Sequence, residues 1–460
     1  MPLSLSSSDP HTCKLPGPGQ QNAAALVAWN RRRAEARYAA AGVHPTGSVG
    51  IVGAGSMGAS IAAAALQSGL PVVISDARPE ALDDLPARIA SVLAEADGAP
   101  WTEGPESLPA IDKLLRRTGE LAEVARCDVV LESVVEHLFV KEKLLAELEA
   151  VLAPGAVLGS NTSTISIGRL AQRLADPTRF CGIHFFLPVP ARPLVEVVRG
   201  PQSSPSTLAA AVALAGALGK SPLVVDDGPG FLVNRLMMLY LSEGLQLVAD
   251  GVPIEQVEQA ADEFGMTVGP MTLMDWIGLD VVLDCGWVLA GALGESMVPS
   301  PLLVAMVKAG RLGRKSGGGF FSYRAGRKTG DQPDPAIGPL LARCAAAPAR
   351  HAPEAITARL LLPMLLEATR VLAEGKVDDP RDVDLAVIFG FGFPAARGGL
   401  LRWADTLGAK RIVEMLGPLA SLGPRARPTP LLLEMAAAGR RFYGGEQDEG
   451  PVKGESEERE

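Results

Sequence analysis

The stretch CGIHFFLPVPARPLVEVV, residues 181–198, sets His184 and Glu196 in runs that are otherwise apolar. An ionised carboxylate that is buried without a partner costs several kcal/mol, so Glu196 is expected to be paired. A glutamate that orients an imidazole makes a general base that works near neutral pH. We interpret His184 as that base. The alternative is a purely structural histidine, buried in the core with its hydrogen bonds satisfied. The other histidines fall in a predicted loop, a linker or the N-terminal segment: His11, His44, His137 and His351.

Two further polar side chains occupy positions where a ligand could be held. Ser163 follows a predicted strand in SNTST, and ligands gather beyond strand ends in open α/β sheets. Asn234 lies in the apolar segment FLVNRLMMLYLSEGLQLV, which predicts a buried helix. Either side chain could bind a substrate oxygen, and either could equally be a cap or a packing polar group.

A glycine-rich turn predicts a dinucleotide site. GAGSMG supplies Gly53, Gly55 and Gly58, together with Ser56 and Met57, between a predicted strand and a predicted helix. Asp76 ends the next strand, where an acid can bind a ribose 2′-hydroxyl. Its charge favours NAD over NADP, although Arg78 nearby weakens that preference. The alternative is a glycine-rich turn without a ligand.

Strand and helix patterns alternate up to about residue 227, which predicts a mostly parallel, doubly wound Rossmann-type sheet. The predicted strands are SVGIV, PVVISD, DVVLES, AVLGSN, FCGIHFF and PLVEVVRG. The remainder of the chain is predicted to be helical, so the expected class is an α/β sheet followed by two all-α domains.

The two all-α domains are inferred from a repeat. RLMMLYLSEGLQLVADG from Arg235 aligns with RLLLPMLLEATRVLAEG from Arg359 at an offset of 124 residues, with Arg, Glu and Gly in register. Phe264–Gly265 matches Phe389–Gly390 with one extra residue of offset. The predicted segments are a disordered tail 1–21, a linker helix 22–46, an NAD-binding domain 47–228, a first helical domain 229–325, a linker 326–349, a second helical domain 350–445 and an acidic tail 446–460.

Composition narrows the class of protein. A net charge of −9 argues against a nucleic-acid partner, and no apolar run is long enough to predict a membrane span. The five cysteines are dispersed and never spaced CxxC, which favours reduced cytoplasmic thiols over disulfides and predicts no metal site.

Several motifs together resemble the L-3-hydroxyacyl-CoA dehydrogenases of fatty-acid β-oxidation: GAGSMG, SNTSTIS, GIHFFLPVP, LVEVV and DDGPGFLVNR. The second helical block, with GFGFP and RWADTLG, is similar to the dehydrogenase half of the large bacterial multifunctional β-oxidation subunit. The resemblance covers about residues 25–445. It implies reversible, NAD-dependent oxidation of L-3-hydroxyacyl-CoA to 3-oxoacyl-CoA.

The resemblance also implies roles for individual residues. His184 would take the 3-hydroxyl proton, Glu196 would orient it, and Ser163 and Asn234 would contact the reacting oxygen or the nicotinamide. The acyl-CoA would lie between the sheet domain and the helical domains.

The motif VVEHLFVK matches the family segment in which Glu136 and Lys141 contact the cofactor. The family usually reads H-F-F-N-P-V, whereas this chain has Leu187 in place of the asparagine. Loss of that amide is expected to leave its former partner, Ser163 or Asn234, less constrained. Two alternatives therefore stay open: a non-catalytic relative that binds acyl-CoA or NADH, and a dehydrogenase of a non-CoA 3-hydroxy acid.

The large multifunctional subunits carry an enoyl-CoA hydratase domain before this region, and only a short tail precedes it here. The expectation is that a separate hydratase, or a thiolase, works with this chain. The second helical block is expected to replace a contact between subunits, which leaves a monomer or a homodimer as the expected state.

Overall fold

The computed structural model describes residues 18–39, 46–97, 113–294, 297, 300–347 and 351–444. Most of the predicted N-terminal tail, the whole acidic tail, His11 and His44 lie outside these residues. The first helix begins at Pro18, inside the predicted tail, because a proline is well suited to the first turn of a helix.

Eight strands of the described chain form one sheet in the order β3-β2-β1-β4-β5-β6-β7-β8. Their bounds are β1 (Val49–Val52), β2 (Val72–Ser75), β3 (Leu115–Thr118), β4 (Val129–Glu132), β5 (Val157–Ser160), β6 (Phe180–Phe185), β7 (Leu194–Arg199) and β8 (Ser221–Asp226). The predicted, mostly parallel sheet is confirmed. The two edge strands, β3 and β8, were not predicted: β3 carries two exposed arginines, and β8 contains a proline, which an edge strand tolerates.

One pair of strands departs from the parallel pattern. Strands β6 and β7 run antiparallel, since the eight residues between them are too few for a helical crossover. This register sets His184 directly opposite Glu196. Side chains directly opposite each other lie on the same face of a sheet, so the hairpin brings the imidazole and the carboxylate together.

Helices flank the sheet and form the C-terminal region. Before residue 218 they are α1 (Pro18–Tyr38), α2 (Ser56–Gln67), α3 (Pro79–Asp83), α4 (Leu85–Asp97), α5 (Leu121–Val124), α6 (Leu138–Val151), α7 (Ile167–Leu170) and α8 (Pro205–Ala217). After residue 230 they are α9 (Val233–Ala249), α10 (Ile254–Phe264), α11 (Pro270–Ile277), α12 (Leu279–Leu293), α13 (Pro301–Lys308), α14 (Gly338–Cys344), α15 (Pro353–Ala373), α16 (Pro380–Phe391), α17 (Leu400–Leu407), α18 (Ala409–Leu416) and α19 (Pro430–Ala438). Helix α14 lies within the segment predicted to be a linker.

The repeated helices α9 and α15 pack against each other, and the residues that the repeat aligns form reciprocal ion pairs. Arg235 Nε lies 2.6 Å from Glu367 Oε1, and Arg359 Nε lies 3.2 Å from Glu243 Oε2. All four side chains are buried, so each repeat supplies both the cation and the carboxylate that the other needs.

The predicted Phe–Gly match is wrong in its register. Gly390 lies inside α16, whereas Gly265 ends α10 in the left-handed conformation (φ 99°). Its structural counterpart is Gly392 (φ 84°), which ends α16 in the same way. The segment FGFG contains the dipeptide twice, and only the position of the helix end distinguishes the two.

Within the residues that the structure describes, no single helix is long and apolar enough to cross a membrane. Helices α11 and α12 meet the length and composition only as a pair, and the chain bends by 102° between them.

Candidate active site

The glycine-rich turn joins β1 to α2, and its three glycines meet different surroundings. A Cβ atom at Gly53 would lie 2.3 Å from the Ser133 carbonyl oxygen, and one at Gly58 would lie 1.8 Å from the Gly53 oxygen. Both positions therefore require glycine for packing. A Cβ at Gly55 would meet nothing within 4 Å, so the backbone there is open to the close approach of a phosphate.

Asp76 lies beside this turn at the end of β2. Its Oδ2 accepts a hydrogen bond from the Ala54 amide at 2.8 Å, and its Oδ1 accepts one from the Arg78 amide at 2.9 Å. A carboxylate has further lone pairs, which can accept hydrogen bonds from ribose hydroxyls. The Arg78 side chain is 72% exposed, with Nε 3.5 Å from Asp76. The residues present therefore fit an NAD adenosine.

Lys141 is enclosed by two carboxylates. Its Nζ lies 2.6 Å from Glu132 Oε1 and 3.2 Å from Glu136 Oε2, and the side chain is 1% exposed. The ammonium is therefore buried in contact with Glu136 and does not lie on an open surface. Sequence analysis missed Glu132, although a carboxylate that ends the apolar strand β4 is the same kind of signal that singled out Glu196.

Glu136 organises the turn that follows β5. One of its oxygens, Oε1, accepts hydrogen bonds from the Thr162 hydroxyl at 2.6 Å and from the Ser163 and Thr164 amides at 3.0 and 3.1 Å. Burial alone would raise the pKa of Glu136, but Lys141 and these donors outweigh it and hold that pKa below its usual range. The carboxylate is therefore ionised at neutral pH and fixes the turn that carries Ser163.

The same turn is tied to the helical region. Asn234 Nδ2 donates to the Ser163 carbonyl oxygen at 2.9 Å, and the Ser163 hydroxyl lies 3.3 Å from Glu136 Oε1. Both side chains thus have partners. The expectation that Leu187 leaves them less constrained stays a prediction, and the contacts that position them here come from Glu136 and the SNTST backbone.

His184 and Glu196 form a buried pair. The Nδ1 of His184 lies 2.7 Å from Glu196 Oε2, and Glu196 is fully buried. A carboxylate only accepts, so Nδ1 carries the proton and Nε2 keeps a free lone pair. The imidazole is therefore held in the tautomer that can act as a base.

The other oxygen of Glu196 binds the start of α9. Its Oε1 accepts hydrogen bonds from the Leu232 and Val233 amides at 3.0 and 2.9 Å. The amino end of a helix carries partial positive charge, which stabilises the ionised carboxylate. These backbone donors were invisible in the sequence, where only the Pro-Gly before the helix marks the turn.

The turn that aims those amides is strained. Phe231 has φ 50°, a left-handed conformation that is uncommon for a bulky residue. Its ring lies 5.8 Å from the His184 ring, and the Phe186 ring lies 4.5 Å from it on centroids. Such strain persists where surrounding contacts impose it, and here it precedes the two amides, of Leu232 and Val233, that bind Glu196.

Leu187 lies in the loop after β6, and its side chain is exposed. Its carbonyl oxygen accepts a hydrogen bond from Arg192 Nε at 3.1 Å. Among the described residues, no cluster of histidine, cysteine or acidic side chains is arranged to bind a metal ion.

Two family models match the chain. The model of the 3-hydroxyacyl-CoA dehydrogenase NAD-binding domain matches residues 48–228, and the C-terminal domain model of the same family matches twice, at 230–323 and 356–452. The chain belongs to the 3-hydroxyacyl-CoA dehydrogenase family. The double match agrees with the repeat of α9 and α15, and the NAD-binding expectation is confirmed at the level of the domain.

Relatives of this dehydrogenase family include large and small proteins. The fatty acid oxidation complex subunit alpha of Pseudomonas syringae pv. syringae is 37% identical over 401 residues, which are 86% of this chain and 55% of that protein. The chain thus spans about half the length of this curated relative.

Two solved structures share the fold over most of the chain. The 3-hydroxybutyryl-CoA dehydrogenase of Escherichia coli has a TM-score of 0.73 at 27% identity, covering 86% of this chain and 99% of that one. The dehydrogenase part of multifunctional enzyme 1 from C. elegans has a TM-score of 0.60 at 27% identity, covering 85% and 90%.

Proposed function

We propose that this chain catalyses the reversible, NAD-dependent oxidation of L-3-hydroxyacyl-CoA to 3-oxoacyl-CoA. The observation that carries the proposal is the His184–Glu196 pair. Both residues lie in the part of the chain that matches the NAD-binding domain model, and the first amides of α9 hold the carboxylate. The domain boundaries and the residue roles used below belong to the proposal.

In the oxidative direction His184 acts as the base. Its Nε2 accepts the proton of the 3-hydroxyl group, and the developing imidazolium is stabilised by Glu196 at 2.7 Å from Nδ1. When bound, NAD supplies the acceptor for the hydride that leaves C3. In the reverse direction, protonated His184 returns its proton to the ketone oxygen as that oxygen gains negative charge.

Ser163 and Asn234 hold the reacting oxygen or the nicotinamide in this proposal. Their mutual hydrogen bond at 2.9 Å joins the sheet to α9, so the two sides of the substrate cleft are aligned with each other. Gly53, Gly55 and Gly58, with Ser56 and Met57, would hold the pyrophosphate.

The remaining cofactor contacts are proposed at the ends of β2 and β4. Asp76 would bind the ribose, and Glu136 with Lys141 would order the nicotinamide side through the turn at Ser163.

The test is NADH oxidation with acetoacetyl-CoA, comparing the unmodified protein with His184→Ala. We expect the variant to lose about 10³-fold or more in rate while it keeps NADH binding. His351→Ala removes an exposed histidine and should change nothing. Turnover that survives in the His184 variant would refute the proposal.

The same assay separates the two alternatives. NADH binding without turnover of any substrate would support a non-catalytic relative. Turnover of acetoacetate that equals turnover of acetoacetyl-CoA would support a dehydrogenase of non-CoA 3-hydroxy acids. This alternative is considered because exposed Leu187 replaces the asparagine that is usual in the family.

Hydration is proposed to come from a separate protein. We expect no NADH from crotonyl-CoA and NAD with this chain alone, and NADH formation after a purified enoyl-CoA hydratase is added. A thiolase is the other proposed partner.

A monomer is the proposed state, because α9 and α15 already pair within one chain. Light scattering should then give a mass near 47.9 kDa, and twice that mass would support the homodimer.

A further inference from the structure

A cleft of about 290 Å³ lies between α1, α8 and the start of β8, and no residue of the proposed active site lines it. Helix α1 is fixed there by Asn30, whose Nδ2 donates to Ser221 Oγ at 2.8 Å and to the Pro222 carbonyl oxygen at 2.6 Å. The cleft is lined by polar side chains from α1 and by small apolar residues from α8, including Ala209, Val212 and Ala213.

Two cations line this cleft without a carboxylate partner. Lys220 is 5% exposed, and its Nζ donates to the Val189 and Pro190 carbonyl oxygens at 2.6 and 2.9 Å. Arg31 donates from one terminal nitrogen to the Gly219 carbonyl oxygen. Neither side chain forms an ion pair with another described residue. Of the two, Lys220 is buried and Arg31 is half-buried. A buried cation without a counter-ion is unfavourable, which points to an anion that the described residues do not provide.

Two donors in the cleft are also unpaired. The Nε of Arg31 and the hydroxyl of Tyr38 are buried and have no hydrogen-bond partner in the structure. Buried polar atoms nearly always have a partner, so each of these donors, on two residues that line the cleft, calls for an acceptor that the described residues do not provide. Glu35 also lines the cleft, but it is exposed and forms no ion pair with Arg31 or Lys220 among the described residues.

The part of the lining that comes from α8 indicates what kind of anion fits. Helix α8 contributes alanine, valine and glycine to the lining and no titratable group. Three donors suit the two oxygens of a carboxylate better than the larger set of oxygens on a phosphate. The apolar wall suits a hydrocarbon body attached to that carboxylate.

We propose that this cleft is a binding site for a small organic carboxylate with an apolar body. Arg31, Lys220 and Tyr38 bind the carboxylate, and the α8 face around Ala213 packs against the hydrocarbon. None of the residues that line the cleft belongs to the proposed dehydrogenase site.

The protonation of Lys220 gives the site a pH dependence. Burial, and then the like charge of Arg31, lowers the pKa of Lys220 to about 8. The groups that face it are Arg31, Glu35 and Tyr38 of α1. A carboxylate favours the charged ammonium, so binding should take up protons near pH 8 and weaken as the pH rises above it.

The experiment is calorimetric titration of the full chain with octanoate at pH 7. We expect saturable, one-to-one binding in the millimolar range or tighter, and about tenfold weaker binding by Arg31→Gln. Arg32→Gln, which removes an exposed charge from the next residue of the same helix, is the matched control and should leave the affinity within twofold. Tyr38→Phe should weaken binding several-fold.

Three results would overturn the proposal. The first is no saturable binding of octanoate, and the second is equal weakening by Arg31→Gln and Arg32→Gln. The third is octanoate binding that persists in Ala213→Phe, which fills the cleft. Octanamide and inorganic phosphate complete the series: each should bind at least tenfold more weakly, and equal binding of either would show that the charge or the apolar body is not recognised. NADH oxidation by each variant should match the unmodified chain, which shows that the protein is folded.

Discussion

The two helical repeats share their packing and differ in what they present to the sheet. Arg235 binds Glu367 and also Glu374 at 2.8 Å, while Arg359 binds Glu243 and also Asp250 at 2.6 Å. The repeat offset of 124 residues aligns each of these residues with its counterpart. These four ion pairs are therefore duplicated.

The faces near the active site are not duplicated. The residue aligned with Asn234 is Ala358, which has no amide to donate. The first amides of α9 bind Glu196, whereas α15 begins at Pro353, a residue without an N–H, and its N-cap makes no side-chain hydrogen bond. Packing residues were kept in both copies because both copies share one interface. The Asn234 amide and the backbone amides that bind Glu196 serve a single site, and they occur in the first repeat only.

The capping of the third helix of each repeat is also shared. Glu258 on α10 accepts the Met271 amide at the start of α11, and Asp384 on α16 accepts the Leu401 amide at the start of α17. Burial raises the pKa of both carboxyls. A buried acid that binds helix amides thus occurs in both repeats as well as at Glu196, so this feature alone does not mark the site.

The largest expected effect is a difference in kcat between variants of two buried glutamates. Glu196 belongs to the proposed active site, and Glu367 belongs to the ion pairs between the repeats. Glu196→Gln should lower kcat about 10³-fold, because an amide cannot stabilise the imidazolium or impose the same tautomer. Glu367→Gln should leave kcat near normal and cost about 3 kcal/mol of unfolding free energy, since Arg235 loses a buried partner. Steady-state rates and urea unfolding of both variants provide the comparison. A kcat loss in Glu367→Gln as large as that in Glu196→Gln would contradict it.

Asn234→Ala makes the first repeat like the second at one position. We expect a rate loss of about 10²-fold, because a positioned donor beside Ser163 is removed. Ala358→Asn, the matched change in the second repeat, should leave the rate unchanged. Activity and melting temperature would be measured together, and equal rate losses in the two variants would show that the repeats do not differ in this way.

Asp384, the buried acid of the second repeat, should make the free energy of unfolding depend on pH. Burial raises the pKa of Asp384 to about 7, although the hydrogen bond from the Tyr443 hydroxyl partly offsets the increase. The folded state therefore binds more protons than the unfolded state. Protonated Asp384 contributes fully to the free energy of unfolding below the pKa of the unfolded state, and this contribution is lost as the pH rises through 7.

Asp384→Asn should accordingly flatten the fall in unfolding free energy between pH 5 and pH 8 by about 2 kcal/mol. Urea unfolding at several pH values measures the slope. The exposed Glu414→Gln is the control and should keep the slope of the unmodified chain. An unchanged slope in the Asp384 variant would assign the pH dependence to other groups.

The smallest effect is expected at Leu187, where the sequence departs from its family. Leu187→Asn should change kcat less than tenfold, since Ser163 and Asn234 already have partners and Leu187 is exposed. The acetoacetyl-CoA assay measures it, with Leu433→Asn on exposed α19 surface as the control. A gain of 10²-fold or more would show that the missing amide limits the chemistry.

The main outline of the fold could be predicted from the sequence, because it rests on local patterns. Apolar strands alternating with helices predicted the sheet, and the GAGSMG turn predicted the nucleotide side. The edge strand β3 was missed, since three of the four residues in its LRRT sequence are polar and its pairing with β2 is a long-range contact. The start of α1 and the helix α14 were missed for a related reason, because propensity alone places helix ends poorly.

The sequence by itself determined the kinds of groups that this protein could use: a histidine, a glutamate in an apolar strand, a serine, an amide and a glycine turn. Only the tertiary structure decided how they act. The antiparallel register sets His184 against Glu196, and the strained turn at Phe231 aims two backbone amides at that glutamate. Backbone amides are common to almost all residues, so no sequence pattern marks the ones that bind. The cleft beside Arg31 has the same origin, because its lining comes from segments that only folding brings together.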